Sequence, residues 1–275
     1  MDFCASTDTN GDRLPENINV GHGWLEGGDF FGNRTEFVVA GLWEKALGEA
    51  AYMCDAVGLQ KEAAAYAKER TYISEILNND FWKGEKGWYS YGKRDDGTFA
   101  DELLVLVNSI ILMGNTDHEK SVSTVDKFSS LHFHKDWGTA QVADTTYLSW
   151  HGAYSEDNVW PLHTGTLSLA EYKTGLYNQG FSNLMGNLTA ALGGFHGRVP
   201  EVIHADGFRT TGITLFQCWS ETMVVQPVIE GMLGYSPDAL GSGMTIAPRL
   251  PADWKAIRVD QLVAGKMHAG FEMEK

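Results

Sequence analysis

The chain has 275 residues, 43% of them hydrophobic, enough to bury the core of one large domain or of a domain with an appendage. A formal charge of −15, with no lysine/arginine cluster to displace counterions, excludes a nucleic-acid backbone as partner. No apolar run approaches the length of a membrane span and the opening "MDFCASTDTNGDRLPEN" has no signal-peptide core, so no membrane partner is expected and the compartment, otherwise unknown, leans to the cytoplasm.

After a polar leader, helical period begins near Arg34 in "RTEFVVAGLWEKALGEAAYMCDAVG", with apolar Val39, Trp43, Leu47, Ala50, Cys54 and Val57, and Gly58 as a stop. A second helix follows at once in "QKEAAAYAKERTYISEILNNDFW", with Ala63, Tyr66, Ala67, Ile73 and Leu77 on one side. The short link predicts an antiparallel hairpin. "KGEKGWYSYGKRDDGTF" reads as loop or short strands. The rhythm then repeats in "DELLVLVNSIILMG" with "DHEKSVSTVDKFSSL", and in "NVWPLHTGTLSLAEYKTG" with "LYNQGFSNLMGNLTAALGG". A last helix, "LFQCWSETMVVQPVIEGMLG", ends at Gly234. From about Ser236 the β-branched runs and prolines predict a few strands. The expected organisation is therefore a helical-hairpin catalytic domain over 1–235 and a short β-rich segment over 236–275. Long aromatic loops recur at the same end of successive hairpins, which favours an all-α toroid over a bundle.

Trp 9, Tyr 10 and Phe 13 are many aromatics for an acidic chain, and aromatic faces beside carboxylates suit a sugar site. Most of these rings are nonetheless expected in the core. Carboxylates in loops are the candidates for chemistry. In "HGRVPEVIHADGF", Pro200 fixes the backbone before Glu201, Gly194 and Gly197 permit close approach, and Arg198 is placed to orient the acid. In "GHGWLEGGDFFGNRTEF", Glu26 and Asp29 sit in a glycine-aromatic loop with Trp24. Two separated carboxylates beside aromatics are the minimum equipment for glycoside hydrolysis, one protonated to serve the leaving oxygen and one ionised to activate water.

"SEDNVWPLHTG" adds Glu156, Asp157, Trp160 and His163, with Pro161 suited to a first helical turn and Asp157 or Asn158 to its cap. "CWSETMVV" adds Trp219 and, as a reserve acid with Asp29, Glu221, which is equally explained as a first-turn charge favoured by the helix dipole. "DTNGDRLPENIN" imitates a calcium loop but has Arg13 and Asn19 where glycine and glutamate belong, so a polar turn is expected. The histidines show no metal-ligand spacing, and no phosphate-binding loop appears, so neither a metal nor a cofactor is expected. Three cysteines, Cys4, Cys54 and Cys218, fit no disulfide framework and are expected to be reduced and mostly buried.

Taken in order, "GHGWLEGG…RTEFVVAGLWEKALGEAA", "NVWPLHTG", "GRVPEV", "CWSETMVVQPVIEGMLG" and "IAPRLPADW" resemble the amylo-α-1,6-glucosidase, or glycogen-debranching-like, proteins of the six-hairpin (α/α)6 glycosidase superfamily, which also holds trehalases and glucosidase-I-like enzymes. The resemblance runs from about Asp8 to about Trp254. It implies an inverting hydrolase of α-glucosidic or related linkages, with Glu201 as general base and an oligosaccharide or glycoside as substrate. Glu26 is the positional match of the trehalase-like acid, with glutamate in place of aspartate, while Trp24, Trp160, His163, Arg198 and Trp219 are expected to bind sugar. "QCWSE" stands where debranching relatives tend to have Q-A-W-S. A complete toroid takes six hairpins, roughly 350–400 residues at ordinary helix and loop lengths. The present chain is therefore expected to form an incomplete one, its C-terminal portion. Apolar helix faces left open would favour a homo-oligomer. A carbohydrate-binding or inactive remnant, and an epimerase or lyase using His163, His196 or His204, are the alternative readings.

Overall fold

The computed structural model describes residues 1–16, 30, 32–107, 116–146, 158–193, 197–238 and 243–274. Helix α1 (Asp2–Ser6) leads into the polar turn, and strand β1 (Thr35–Glu36) precedes α2 (Phe37–Ala56). Gly58, at φ +82, turns the chain into α3 (Gln60–Asn79), which packs back on α2 as the helical period predicts. The N-terminal half of α2 is the buried half: Phe37, Trp43 and Leu47 join Ile73, Leu77 and Phe81 in the largest core cluster. Phe37 stacks on Tyr89 with ring centroids 5.0 Å apart.

Short antiparallel pairs follow: β2 (Trp82–Lys83) with β3 (Trp88–Tyr89), and β4 (Gly92–Lys93) with both β1 and β5 (Phe99–Ala100). The stretch expected as a helix from Asp101 is extended through Leu104 and makes one 3-10 turn at Val105–Val107; its continuation lies outside the described residues. Asp117 caps α4 (His118–Asp126), its carboxylate accepting from the Lys120 amide at 3.0 Å. Strands β6 (His134–Lys135) and β7 (Gly138–Thr139) form a hairpin, and β8 (Asn158–Val159) introduces α5 (Pro161–Thr174).

Helix α5 has no solvent face: every residue from Pro161 to Tyr172 is buried, with α4, α6 (Tyr177–Gly193) and α7 (Cys218–Gln226) packed against it. Glycines make these approaches possible. A Cβ at Gly165 would stand 2.3 Å from the Met223 Cβ of α7, and one at Gly186 2.8 Å from the Gly138 backbone nitrogen. Strand β9 (Ile203–His204) pairs with β8, and α7 widens at Pro227 into a π-helical turn, Pro227–Met232. From Ser236 the described residues include the strands β10 (Ser236–Pro237) and β11 (Met244–Thr245) and the hairpin of β12 (Ala256–Ala264) with β13 (Met267–Glu274). The described residues thus form helical hairpins with several small sheets, and no described helix is long and apolar enough to cross a membrane. Apolar side chains stand exposed, including Tyr52 and Met53 of α2, Val57 just after it, and Trp219 and Val225 of α7. The cysteines depart from expectation: Cys218 is exposed and Cys54 half-buried on their helices, and Cys4 is half-buried against the edge of the largest core cluster.

Two consequences of α5 are testable. Gly165→Ala should destabilise the fold by about 1–3 kcal/mol, read from the urea midpoint, because the Met223 side chain has to move. Glu171, wholly buried, has its pKa pushed up to about 8 by burial, with the Asn183 amide opposing and Asp126 adding. In the unfolded chain a glutamate releases its proton near pH 4.3, so the folded state holds one more proton between the two values. Stability is then greatest below the lower value and falls by up to about 1.4 kcal/mol per pH unit as pH rises toward 8. Urea unfolding between pH 5 and 8 should show this slope, and Glu171→Gln should remove it.

Candidate active site

The Pro-Glu segment is held by a short ladder. The Glu201 amide donates to the Thr214 carbonyl and the Gln217 amide to the Val199 carbonyl, each at 3.0 Å. Leu215 to Gln217 were expected inside the last helix, yet they precede it, because the backbone here serves this ladder; α7 begins only at Cys218. The Glu201 side chain is buried at 6% exposure, and its carboxylate accepts from the Gln217 side-chain amide at 3.3 Å. That donor is uncharged, and among the described residues no ion pair reaches Glu201.

Arg198 does not orient this acid as expected. Its guanidinium lies over the Phe216 ring, 4.2 Å from the centroid. Arg198 and Pro200 line a cavity on one side, while Glu201 meets Gln217 on the other.

The start of α5 is brought beside this segment by strand pairing, Asn158 opposite His204 and Val159 opposite Ile203. Asn158 is therefore a strand residue and not the helix cap; Trp160 occupies the cap position and Pro161 the first turn. Trp160 is 5% exposed and stacks on His163, centroids 5.5 Å apart. His163 is 1% exposed, bonded through Nδ1 to the Gln141 amide, and burial pushes its pKa down to about 3. It is a neutral core imidazole that backs Trp160, and this burial removes it from direct contact with a ligand in this conformation. Trp219, by contrast, keeps 38% of its surface at the start of α7, an open aromatic face two residues after Gln217. Glu221 stands half-buried in the first turn of α7, where the helix dipole favours a carboxylate. His204 is half-buried in β9, its carbonyl accepting from Trp137 Nε1 at 3.0 Å.

Trp24, Glu26, Asp29, Glu156, Asp157 and His196 lie outside the described residues. The calcium-like stretch spends its acids on its own turn: Asp8 accepts from the Gly11 and Arg13 amides, and Asp12 pairs with Lys93 at 3.0 Å. Among the described residues no group of three histidine, cysteine or acidic side chains is placed to hold a metal. Sequence reasoning missed two residues that build the site. Gln217 ties Glu201 to α7, and Asn187 of α6 donates to the carbonyls of Pro161 and Met223, joining α5 and α7. A glutamine just before the helix of "CWSETMVV" was the visible signal for the first; nothing local marked the second.

Several solved structures with a related fold carry titles that name glycosidases. The chain is similar to a protein titled sialidase, TM-score 0.81 at 12% identity over 98% of this chain and 26% of that one. It is also similar to a GH63 mannosylglycerate hydrolase from Thermus thermophilus, TM-score 0.57 at 13% identity over 70% of this chain and 45% of that one. The neutral trehalase of Saccharomyces cerevisiae gives a TM-score of 0.55 at 12% identity over 70% of this chain and 37% of that one. At such identities the likeness is one of fold alone, and the chain spans less than half the length of each neighbour. No family model and no curated protein matches the chain.

The ladder predicts slow amide exchange at Glu201 and Gln217, on the order of tenfold or more slower than at exposed Gly212. Equal rates would mean that the ladder opens freely in solution.

Proposed function

We propose that the chain carries part of a glycoside hydrolase site, with Glu201 as the general base of an inverting reaction on an α-glucosidic or related linkage. The observation that carries this reading is a buried carboxylate on a hydrogen-bonded backbone ladder, bonded on its side chain, among the described residues, by an uncharged amide alone. An ion-paired acid would be a poor proton acceptor; one held by a neutral donor keeps its second oxygen for a water. Support comes also from the exposed Trp219 close by in the chain and from fold neighbours whose titles name a mannosylglycerate hydrolase and a trehalase.

In the proposed step, Glu201 takes a proton from water as its oxygen attacks the anomeric carbon. The glycosidic C–O bond breaks, and an acid protonates the departing oxygen. Glu26 is the proposed acid, which requires its carboxyl to lie roughly 6.5–9.5 Å from that of Glu201. Trp219 and Trp24 supply stacking faces for the sugar.

The test uses aryl glycosides, trehalose, isomaltose and panose with the wild-type protein, Glu201→Gln and Glu26→Gln. Loss of the base should lower kcat by about 10²–10⁴-fold with the fold intact. Release of sugar by Glu201→Gln at the wild-type rate would remove Glu201 from the reaction. Saccharide binding without hydrolysis would make the chain a carbohydrate-binding module instead.

A further inference from the structure

The reverse side of the Pro-Glu segment holds a cavity of about 220 Å³ that the proposed hydrolysis does not use. Its body is apolar, walled by Pro200, Ile203, Phe208 and Leu215, and two arginines, Arg198 and Arg209, complete it. The loop that covers it is well held. The His204 amide donates to the Arg209 carbonyl at 3.0 Å, Ile203 bridges to Thr210, and the Phe208 ring lies against Gly193 at the end of α6. A Cβ at Gly193 would stand 2.5 Å from that ring, so glycine there is what lets the ring close over the cavity. Phe208 also contacts Trp137, centroids 6.0 Å apart.

The two arginines differ in what they have to spend. Arg209 donates through Nη2 to both Asp206 oxygens, at 2.7 and 3.0 Å, and its charge is thereby answered. Arg198 rests on the Phe216 ring, and among the described residues no carboxylate lies within ion-pair distance of it. A ring offers a guanidinium a flat support but does not use its N–H donors, which lie in its plane. The cavity therefore joins a small apolar chamber to a guanidinium with donors to give, inside a protein of net charge −15. Its volume is below that of a drug-sized site, so its occupant is about one ring in size.

We infer that this cavity binds a small aromatic carboxylate of benzoate size, with the ring among Phe208, Ile203 and Leu215 and the carboxylate on Arg198. The site is distinct from the face that carries the Glu201 carboxylate and shares with it only the segment between them. Its occupancy can be measured whether or not the chain hydrolyses glycosides, so failure of one proposal leaves the other standing.

The experiment is a calorimetric titration of the purified chain with benzoate and with benzyl alcohol, its neutral counterpart, each repeated on Arg198→Met and Phe208→Ala. Benzoate should bind wild type on the order of tenfold or more tightly than benzyl alcohol, the worth of a charge-assisted hydrogen bond. Arg198→Met, which keeps an apolar stem without the charge, should remove that preference, and Phe208→Ala should weaken both ligands. Circular dichroism of the variants checks that they are folded. Equal binding of the two ligands to wild type, no binding of benzoate at millimolar concentration, or an unchanged benzoate affinity in either variant would overturn the inference.

Discussion

Helix α5 is buried from Pro161 to Tyr172, and most of the polar groups it buries are answered within the protein. Thr164 accepts from the Thr139 amide, Ser168 donates to the Gly180 carbonyl, Glu171 takes both Asn183 bonds and His163 meets Gln141. These partners lie on β7, on α6 and on the segment that follows β7, so satisfying α5 also fixes where those elements sit. The helix thus organises the described fold less by an apolar stripe than by a set of addresses, and a neighbour that drifted would leave a buried polar group without its bond.

The candidate site inherits its rigidity from this arrangement. Strand β8 runs directly into α5, β9 pairs with it, and the Pro-Glu segment lies just ahead of β9. The same few residues then separate two environments. The carboxylate of Glu201 meets an amide on one face, and Arg198 meets a ring on the other. Two chemistries can lie this close without neutralising each other because the guanidinium is taken up by the Phe216 ring and the carboxylate by the Gln217 amide. A helix at the same place would have put residues 198 and 201 on one side, where they would pair.

What was legible in the sequence follows from how local its cause is. The first hairpin was readable because α2 and α3 carry regular apolar spacing and Gly58 ends the first of them. The Pro161 helix start and the change of character near Ser236 were readable for the same reason. The start of α7 was not, because Leu215–Gln217 have helical spacing while Thr214 and Gln217 bond to Glu201 and Val199, partners far back along the chain. Residue type alone suggests sugar contacts for His163 and Arg198; burial in one case and the contact with the Phe216 ring in the other are decided by the fold. The roles of Asn187 and Asn183 had no local signature at all, since both depend on which helices meet.

The glycines within α6 and the turn after α7 lower helical propensity without any visible reason in the sequence. In three dimensions the Tyr172 ring occupies the space that side chains at Gly180 and Gly231 would need, at 3.0 and 2.5 Å from their missing Cβ atoms. The three positions are therefore coupled through one ring: alanine at 231 requires that ring to move, and alanine at 180 meets the Ser168 carbonyl oxygen at 3.1 Å as well. A single aromatic side chain thus sets how closely α6 and the turn after α7 come to α5, and its size is what the two glycines make room for.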